Sequence, residues 1–223
     1  MVITKLERQQ KNPLRVNVYC DDAFAFGIHQ DVLVKFGLRK GDVVDEKSMA
    51  DLLAAEEFRI AKEKALKFLG GRLRSKKELR SKLIDKEIDP HAVDSVIEHL
   101  EGLGLINDKT FAEAFVHDAI MKKPSGSNIL RQRLRLKGIN RAVIDDVLHE
   151  RLSRETEVTL ARKAASKQLI RLRGGRKELE RQQQQKRMAD FLMRRGFAWD
   201  TVSTVLKELF PHSKNVSSND IDS

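Results

Sequence analysis

Residues 72–83 read Arg72-Leu73-Arg74-Ser75-Lys76-Lys77-Glu78-Leu79-Arg80-Ser81-Lys82-Leu83, and a short loop then leads to Asp89-Pro90. Ser75 followed three residues later by Glu78 is a capping box: the serine oxygen accepts from a first-turn N–H and the glutamate reaches back. Leu79 and Leu83 lie four apart and share a buried helical face. Asp89 reads as the N-cap of a following helix, with Pro90 at the first position, where its missing N–H costs nothing. Arg72, Arg74, Lys76, Lys77, Arg80 and Lys82 fill the remaining faces with more positive charge than helix solubility requires. The unit is a two-helix corner with a cationic rim.

The unit recurs. At an offset of 51 residues Ala61, Leu79, Arg80, Leu83, Lys86, Ile88, Asp94 and Val96 meet identical residues at Ala112, Leu130, Arg131, Leu134, Lys137, Ile139, Asp145 and Val147. At an offset of 109, Leu83 meets Leu192, Lys86 meets Arg195, Ile88 meets Phe197, and Val93 and Val96 meet Val202 and Val205. A helical period near fifty predicts a tandem array, in which each unit buries a small core and leans on its neighbour. The third copy carries a nine-residue insertion between its first two helices, since Ala112 maps on Ala161 at an offset of 49 but Leu134 maps on Leu192 at 58. The insertion runs from Arg173-Gly174-Gly175-Arg176 to the glutamines at 182–185 and lengthens a helix by about two and a half turns.

The 223 residues carry a net charge of +10 with 34% charged, 40% hydrophobic and 5% aromatic side chains, and four prolines. That composition suits a helical, well-solvated protein with thin cores rather than a deep-pocketed enzyme. The charge points to a polyanionic partner, most often nucleic acid. Cys20 is the single cysteine, so an intrachain disulfide is excluded and a reducing cytoplasm is the expected setting. An apolar leader or an 18-residue apolar run is absent from the sequence, which predicts a soluble protein without membrane contact.

The expected boundaries are a β-rich segment over residues 1–47, a helical lead-in with the first repeat over 48–106, and repeats over 107–153 and 154–210. A polar tail expected to be disordered covers 211–223. In the first segment, residues 15–19 and 23–28 alternate around Cys20-Asp21-Asp22 as a β-hairpin, with residues 2–7 as a further strand and Val43-Val44 as another. Residues 31–36 form a short helix closed by Gly37. Ser48, with Asp51 three residues on, is expected to open the long helix that leads into the first repeat. Asn107 and Asn140 cap helices of the second repeat, whereas Ala198 replaces the cap of the third. Trp199 reads as a core residue rather than a stacking platform.

The six histidines fall in no metal-ligand spacing, and Gly70-Gly71 and Gly174-Gly175 end helices rather than follow strands as phosphate loops do. No nucleophile or paired-carboxylate motif is visible, so catalysis is disfavoured. What remains is basic surface, segregated by helix. Residues 121–141 hold seven basic residues and no acid, and residues 162–195 hold 12 basic residues against three acids, while the third helices carry Asp94, Glu98, Glu101, Asp145, Asp146 and Glu150. The candidate contact residues are Arg72, Arg74, Lys76, Lys77 and Lys82 in the first repeat and Lys122, Lys123, Arg131, Arg133, Arg135 and Lys137 in the second. The third offers Arg171, Arg173, Arg176, Lys177, Arg194 and Arg195. The four from Arg171 to Lys177, around the insertion, are expected to matter most. Such a surface binds phosphates with strong salt dependence and little sequence preference.

The sequence resembles the RecX family of regulatory proteins, which bind the bacterial recombinase RecA. The resemblance covers most of the chain. It rests on Ala65-Leu66, Leu69, Arg72, Arg74-Ser75, Glu78-Leu79 and Leu83, then on Val96-Ile97, Leu100, Leu105-Ile106-Asn107-Asp108, Phe111-Ala112, Gly126, Leu134 and Lys137-Gly138-Ile139. Residues 15–27 resemble the β-rich extension of longer members. Glu87, where the family has glycine, and the insertion are departures. The resemblance implies tandem three-helix units without enzymatic activity or cofactor. It also implies a protein that lodges in the groove of the RecA–DNA filament and dampens ATP hydrolysis, strand exchange and co-protease activity, within DNA repair, recombination and the SOS response. The implied partners are the RecA filament and single- and double-stranded DNA, with the protein a cytoplasmic monomer. An independent DNA-binding protein, non-specific or helix-turn-helix-like, is the alternative.

Overall fold

The computed structural model describes residues 1–173 and 180–211, with the side chains of Leu172 and Arg173 left out. The chain divides into two compact units, Met1–Ile106 and Asn107–Ser223. The first opens with an antiparallel sheet, β1 (Ile3–Arg8), β2 (Arg15–Cys20) and β3 (Ala23–His29), in the order β1-β2-β3. Asp21 and Asp22 make the β2–β3 turn at φ 50° and 62°. Aspartate tolerates this left-handed region because its short side chain finds local partners; Asp21 Oδ1 accepts from Val2 N at 3.0 Å. Val43 contributes a single bridge to Val2 rather than a full strand. Along β2, Val16, Val18 and Cys20 alternate inward. Val18 and Cys20 join Ile3, Ile28, Val32 of α1 (Gln30–Phe36), Val44 and Leu52 in one core. Burial raises the Cys20 thiol pKa.

Helix α2 (Glu46–Leu69) is uninterrupted, and its N-cap is Asp45, whose carboxylate accepts from Ser48 N at 2.7 Å. Ser48 is therefore the receiving residue of the cap and not the cap itself. The helix serves two cores: Leu52 lies under the sheet, and Ala61 and Ala65 lie in the first three-helix repeat. Between them, buried Glu56 fastens sheet to helix. Its Oε1 lies 3.1 Å from Arg15 Nη1 and 3.2 Å from Arg59 Nη2, its Oε2 accepts from His29 N at 2.9 Å, and Arg15 Nη2 donates to Gly27 O. Burial alone would raise the Glu56 carboxyl, but the His29 N–H and the two guanidiniums outweigh it and hold the pKa below its ordinary value. A carboxylate with a depressed folded pKa contributes fully above the ordinary value, about 4.3, and loses that contribution as pH falls through its lower folded value. Glu56→Gln should therefore unfold more easily than wild type at neutral pH, and the difference should shrink below about pH 4. Urea midpoints measured at both pH values check this.

The first repeat is completed by α3 (Lys76–Ile84) and α4 (Pro90–Gly102). Ser75 Oγ accepts from Glu78 N, Asp89 accepts from His91 N and Ala92 N, and Leu79 and Leu83 are fully buried in one core with Val93, Val96 and Leu100. The second unit holds α5 (Asp108–Lys122), α6 (Ser127–Leu136), α7 (Arg141–Arg151), α8 (Arg154–Arg173), α9 (Arg181–Arg194) and α10 (Trp199–Leu209). Residues 174–179 of the insertion and residues 212–223 of the tail lie outside the described residues.

Each repeat makes the same step between its second and third helices. Glu87, Gly138 and Gly196 take φ 58°, 82° and 83°, each donating to the carbonyl three residues back. The next residues, Ile88, Ile139 and Phe197, donate to Leu83, Leu134 and Leu192 and are buried. This is a Schellman-type closure, which wants glycine at the left-handed position. Glu87 holds that conformation with a Cβ, at a penalty of about 1–2 kcal/mol. Part of the gain on removing it is offset by the greater freedom of glycine in the unfolded chain. Glu87→Gly should stabilise the first unit by about 1 kcal/mol, seen as a rise of several degrees in melting temperature.

Repeats two and three do not keep separate cores. Phe111, Leu130, Leu134 and Val147 pack in one cluster with Ala161, Met188, Leu192, Phe197 and Val205. Backbone joins them as well: Gly126 N donates to Arg195 O at 2.9 Å and Asn128 N to Gly196 O at 3.0 Å. A Cβ on Gly126 would come closer than 3.0 Å to the backbone of Gly196 and Phe197.

Candidate nucleic-acid interface

The candidate cations separate into those held by acids within the chain and those left to solvent. In the first repeat Arg72 pairs with Glu78 at 3.1 Å, and Lys76 pairs with Glu101. Arg74 donates to Phe68 O at 3.0 Å and lies over the Phe68 ring, which Lys82 also approaches at 5.7 Å from the centroid. Lys77 and Lys82 are exposed and have no acidic partner among the described residues. Exposed Lys86, missing from the sequence-derived set although it occupies the shared loop position, is in the same condition.

In the second repeat Lys122 pairs with Asp118 at 2.8 Å and Arg131 with Asp145 at 3.1 Å. Arg133 and Arg135 stand exposed on α6, and Lys123 is exposed at its approach, none with an acid among the described residues. Lys137 is half-buried at the C-cap of α6. Lys82 and Arg133 are equivalent at the offset of 51, so the second helices of two repeats present a solvent-facing cation at the same place.

The arginine two residues earlier has another task. Arg80 Nε meets Asp94 at 2.7 Å and Arg131 Nε meets Asp145 at 3.1 Å, bracing second helix to third in both repeats. The hydrogen bond and charge of Arg80 hold the Asp94 carboxyl below its ordinary value. In the third repeat both members are absent together, with Ala189 and Ser203 in their places. There α8 and α10 are joined instead by Arg162 and Glu208, two bonds of 2.7 Å.

In the third repeat Arg171 and Arg194 are exposed, while Arg195 is half-buried, its guanidinium 4.8 Å from the Phe191 centroid and its Nη1 donating to Pro124 O at 3.2 Å. The side chain of Arg173 and all of Arg176 and Lys177 lie outside the described residues. Trp199 does not enter the core: it is 60% exposed at the first position of α10, and Phe197 takes the buried place.

One role was not visible locally. Helix α6 has no side-chain cap of its own at Gly126; Glu157 of α8, 8% exposed, reaches across to accept from Ser127 N at 2.7 Å. Thus the carboxylate and the Arg195–Gly196 backbone together occupy N–H groups that would otherwise offer an anion site. Among the described residues no group of three or more His, Cys, Asp or Glu could hold a metal ion, and no helix is long and apolar enough to cross a membrane.

Comparison with known proteins gives this arrangement a family. The model of the regulatory protein RecX N-terminal domain matches residues 1–45, and those of the first, second and third three-helix domains of RecX match residues 61–100, 107–148 and 155–206. The regulatory protein RecX of Clostridium acetobutylicum is 31% identical over 93% of this chain and 96% of its own, and that of Clostridioides difficile 33% identical over 93% and 95%. The Bacillus subtilis protein is 34% identical over 93% of this chain and 76% of its own. A crystal structure of regulatory protein RecX superposes with a TM-score of 0.75 at 29% identity, covering 92% of this chain and 98% of that one. The RecX structure from Lactobacillus salivarius gives 0.63 at 26% identity, over 70% and 97%. Four domain matches in chain order, relatives aligned over nearly the whole length and a shared architecture place this chain in the RecX family of regulatory proteins.

Proposed function

We propose that the protein binds the RecA recombinase filament on DNA and dampens its ATPase, strand-exchange and co-protease activities, acting as a monomer in the cytoplasm and not as an enzyme. The observation that carries this reading is the division of charge. The second helices present the cations Lys82, Arg133 and Arg135, which have no acidic partner among the described residues, while the third helices present exposed Glu98 and Asp146, without a basic partner among those residues, beside Asp94 and Glu150, which pair with Arg80 and Lys109. A surface divided in this way suits a partner that is part nucleic acid and part protein.

The same division counts against an independent helix-turn-helix reader. Such a protein places the last helix of the corner in the major groove, where its side chains meet base edges and flanking phosphates. Here that helix is α4 or α7, and its open face carries carboxylates. Binding to DNA without the recombinase should accordingly be weak, indifferent to sequence and steeply salt-dependent. The test is the single-stranded-DNA-dependent ATPase of RecA, titrated with this protein. A concentration-dependent fall in turnover is the expected result. An unchanged rate, together with tight binding to one duplex sequence at physiological salt, would transfer the protein to the independent class.

A further inference from the structure

Arg195, like Arg74 in the first repeat, has its guanidinium fixed on two sides by groups that carry no negative charge, but the carbonyl it holds belongs to the neighbouring repeat. The Arg195 guanidinium lies over the Phe191 ring and one Nη is tied to Pro124 O, so the side chain is held in place without being neutralised. Arg171 lies in the last turn of α8, exposed, and its charge acts on Arg195. Burial first, and then the Arg171 charge, hold the Arg195 guanidinium below its ordinary value, as expected of two cations without an acid between them. Lys123 immediately precedes Pro124 and is exposed, and the turn that presents it is braced by Ser125 Oγ donating to Lys123 O at 2.9 Å. None of the three has an acidic partner among the described residues.

Holding a cation half-buried beside another cation is unfavourable unless an anion completes the set. The immobilised guanidinium offers its remaining N–H edge as a planar fork, the geometry that matches phosphate oxygens. We propose that Arg195, Arg171 and Lys123 form a phosphodiester-binding site at the seam of the second and third repeats, gripping the backbone of a DNA strand. The site rests on the DNA-binding part of the proposed function and locates it. The two repeats share a core and the Gly126–Arg195 backbone bond, so the backbone that carries Lys123 and Arg195 is in place before DNA arrives.

The test uses the full chain and a labelled single-stranded oligonucleotide of scrambled sequence, titrated across a range of salt. A Lys123→Gln/Arg171→Gln variant changes two exposed side chains and should melt like wild type. Its affinity at low salt should fall about tenfold and its salt slope by about 1.4, at roughly 0.7 per phosphate on a single strand. Arg195→Lys keeps the charge but not the fork and should bind several-fold more weakly with little change of slope. An Arg133→Gln/Arg135→Gln variant on α6 separates the two levels of the argument. If it weakens binding while both seam variants match wild type, the seam site is wrong and the general reading stands. If the wild-type protein does not bind the oligonucleotide at low salt, the DNA-binding part of the proposed function and the seam site both fall. Seam variants that bind DNA normally but no longer slow the RecA ATPase would assign these cations to a protein carboxylate and overturn the phosphodiester assignment.

Discussion

Gly126→Ala should destabilise the second unit by about 3–5 kcal/mol, although it adds only one methyl group. The Cβ has nowhere to go. Its neighbours are the Gly196 carbonyl and the Phe197 amide, and backbone cannot rotate away as a long side chain can. Relief requires the α5–α6 loop to lift off the α9–α10 loop. That movement breaks the bonds from Gly126 N to Arg195 O and from Asn128 N to Gly196 O, each worth about 1 kcal/mol, on top of about 1–3 kcal/mol of overpacking. Against a total stability of about 5–15 kcal/mol this is a large fraction. Chemical denaturation with a probe in each unit should show the loss in residues 107–211 and a first unit unchanged. A Gly126→Ala protein with wild-type melting would mean that the two loops are not pressed together.

Leu134→Asp should be more damaging still, and its reach distinguishes a shared core from separate ones. Leu134 is fully buried, so the change removes an aliphatic side chain, at about 2–5 kcal/mol, and leaves a carboxyl without a partner, at about 1–3 more. Because Leu134 shares its cluster with Met188, Leu192 and Val205, amide exchange should lose protection throughout α5 to α10. Leu83→Asp makes the same chemical change in the first repeat, whose core contains no residue beyond Ile106. It should unfold α3 and α4 and leave α5 to α10 protected. If Leu134→Asp opened α5 to α7 while α8 to α10 kept their protection, the second and third repeats would be independent after all.

What could be read from the sequence was what depends on near neighbours. Ser75, Asp89, Asn107 and Asn140 announce themselves as caps because each acts on an N–H two or three residues away. Leu79, Leu83, Leu130, Leu134 and Leu192 show their burial through helical spacing. Gly126 gave no such signal, since the carboxylate that caps its helix comes from Glu157, some thirty residues along the chain. Likewise Ser48 was a plausible cap until Asp45, equally well placed, took the role. Trp199 was expected in the core on its size and apolarity, but the helix begins there and Phe197 already fills the site. For the interface, the basic segments were legible and their availability was not. Arg72 and Arg131 look as free in the sequence as Lys82 and Arg133, and only the fold shows that Glu78 and Asp145 hold the first pair.

The fused core of the second and third repeats also sets an order of events at the ribosome. A unit ending at Ile106 can close as soon as it has emerged, because every residue of its core has already been made. The middle repeat cannot. When Leu152 is polymerised, Leu130, Leu134 and Val147 still lack Met188, Leu192, Phe197 and Val205, and the first turn of α6 still lacks the carbonyl of Gly196. At about 5–20 residues per second, the roughly fifty residues to Val205 take about 3–10 s to make. For that interval the nascent chain carries an apolar surface that it cannot yet cover itself, which makes the middle repeat the place for a holding chaperone to act and the stretch where slow translation is most hazardous.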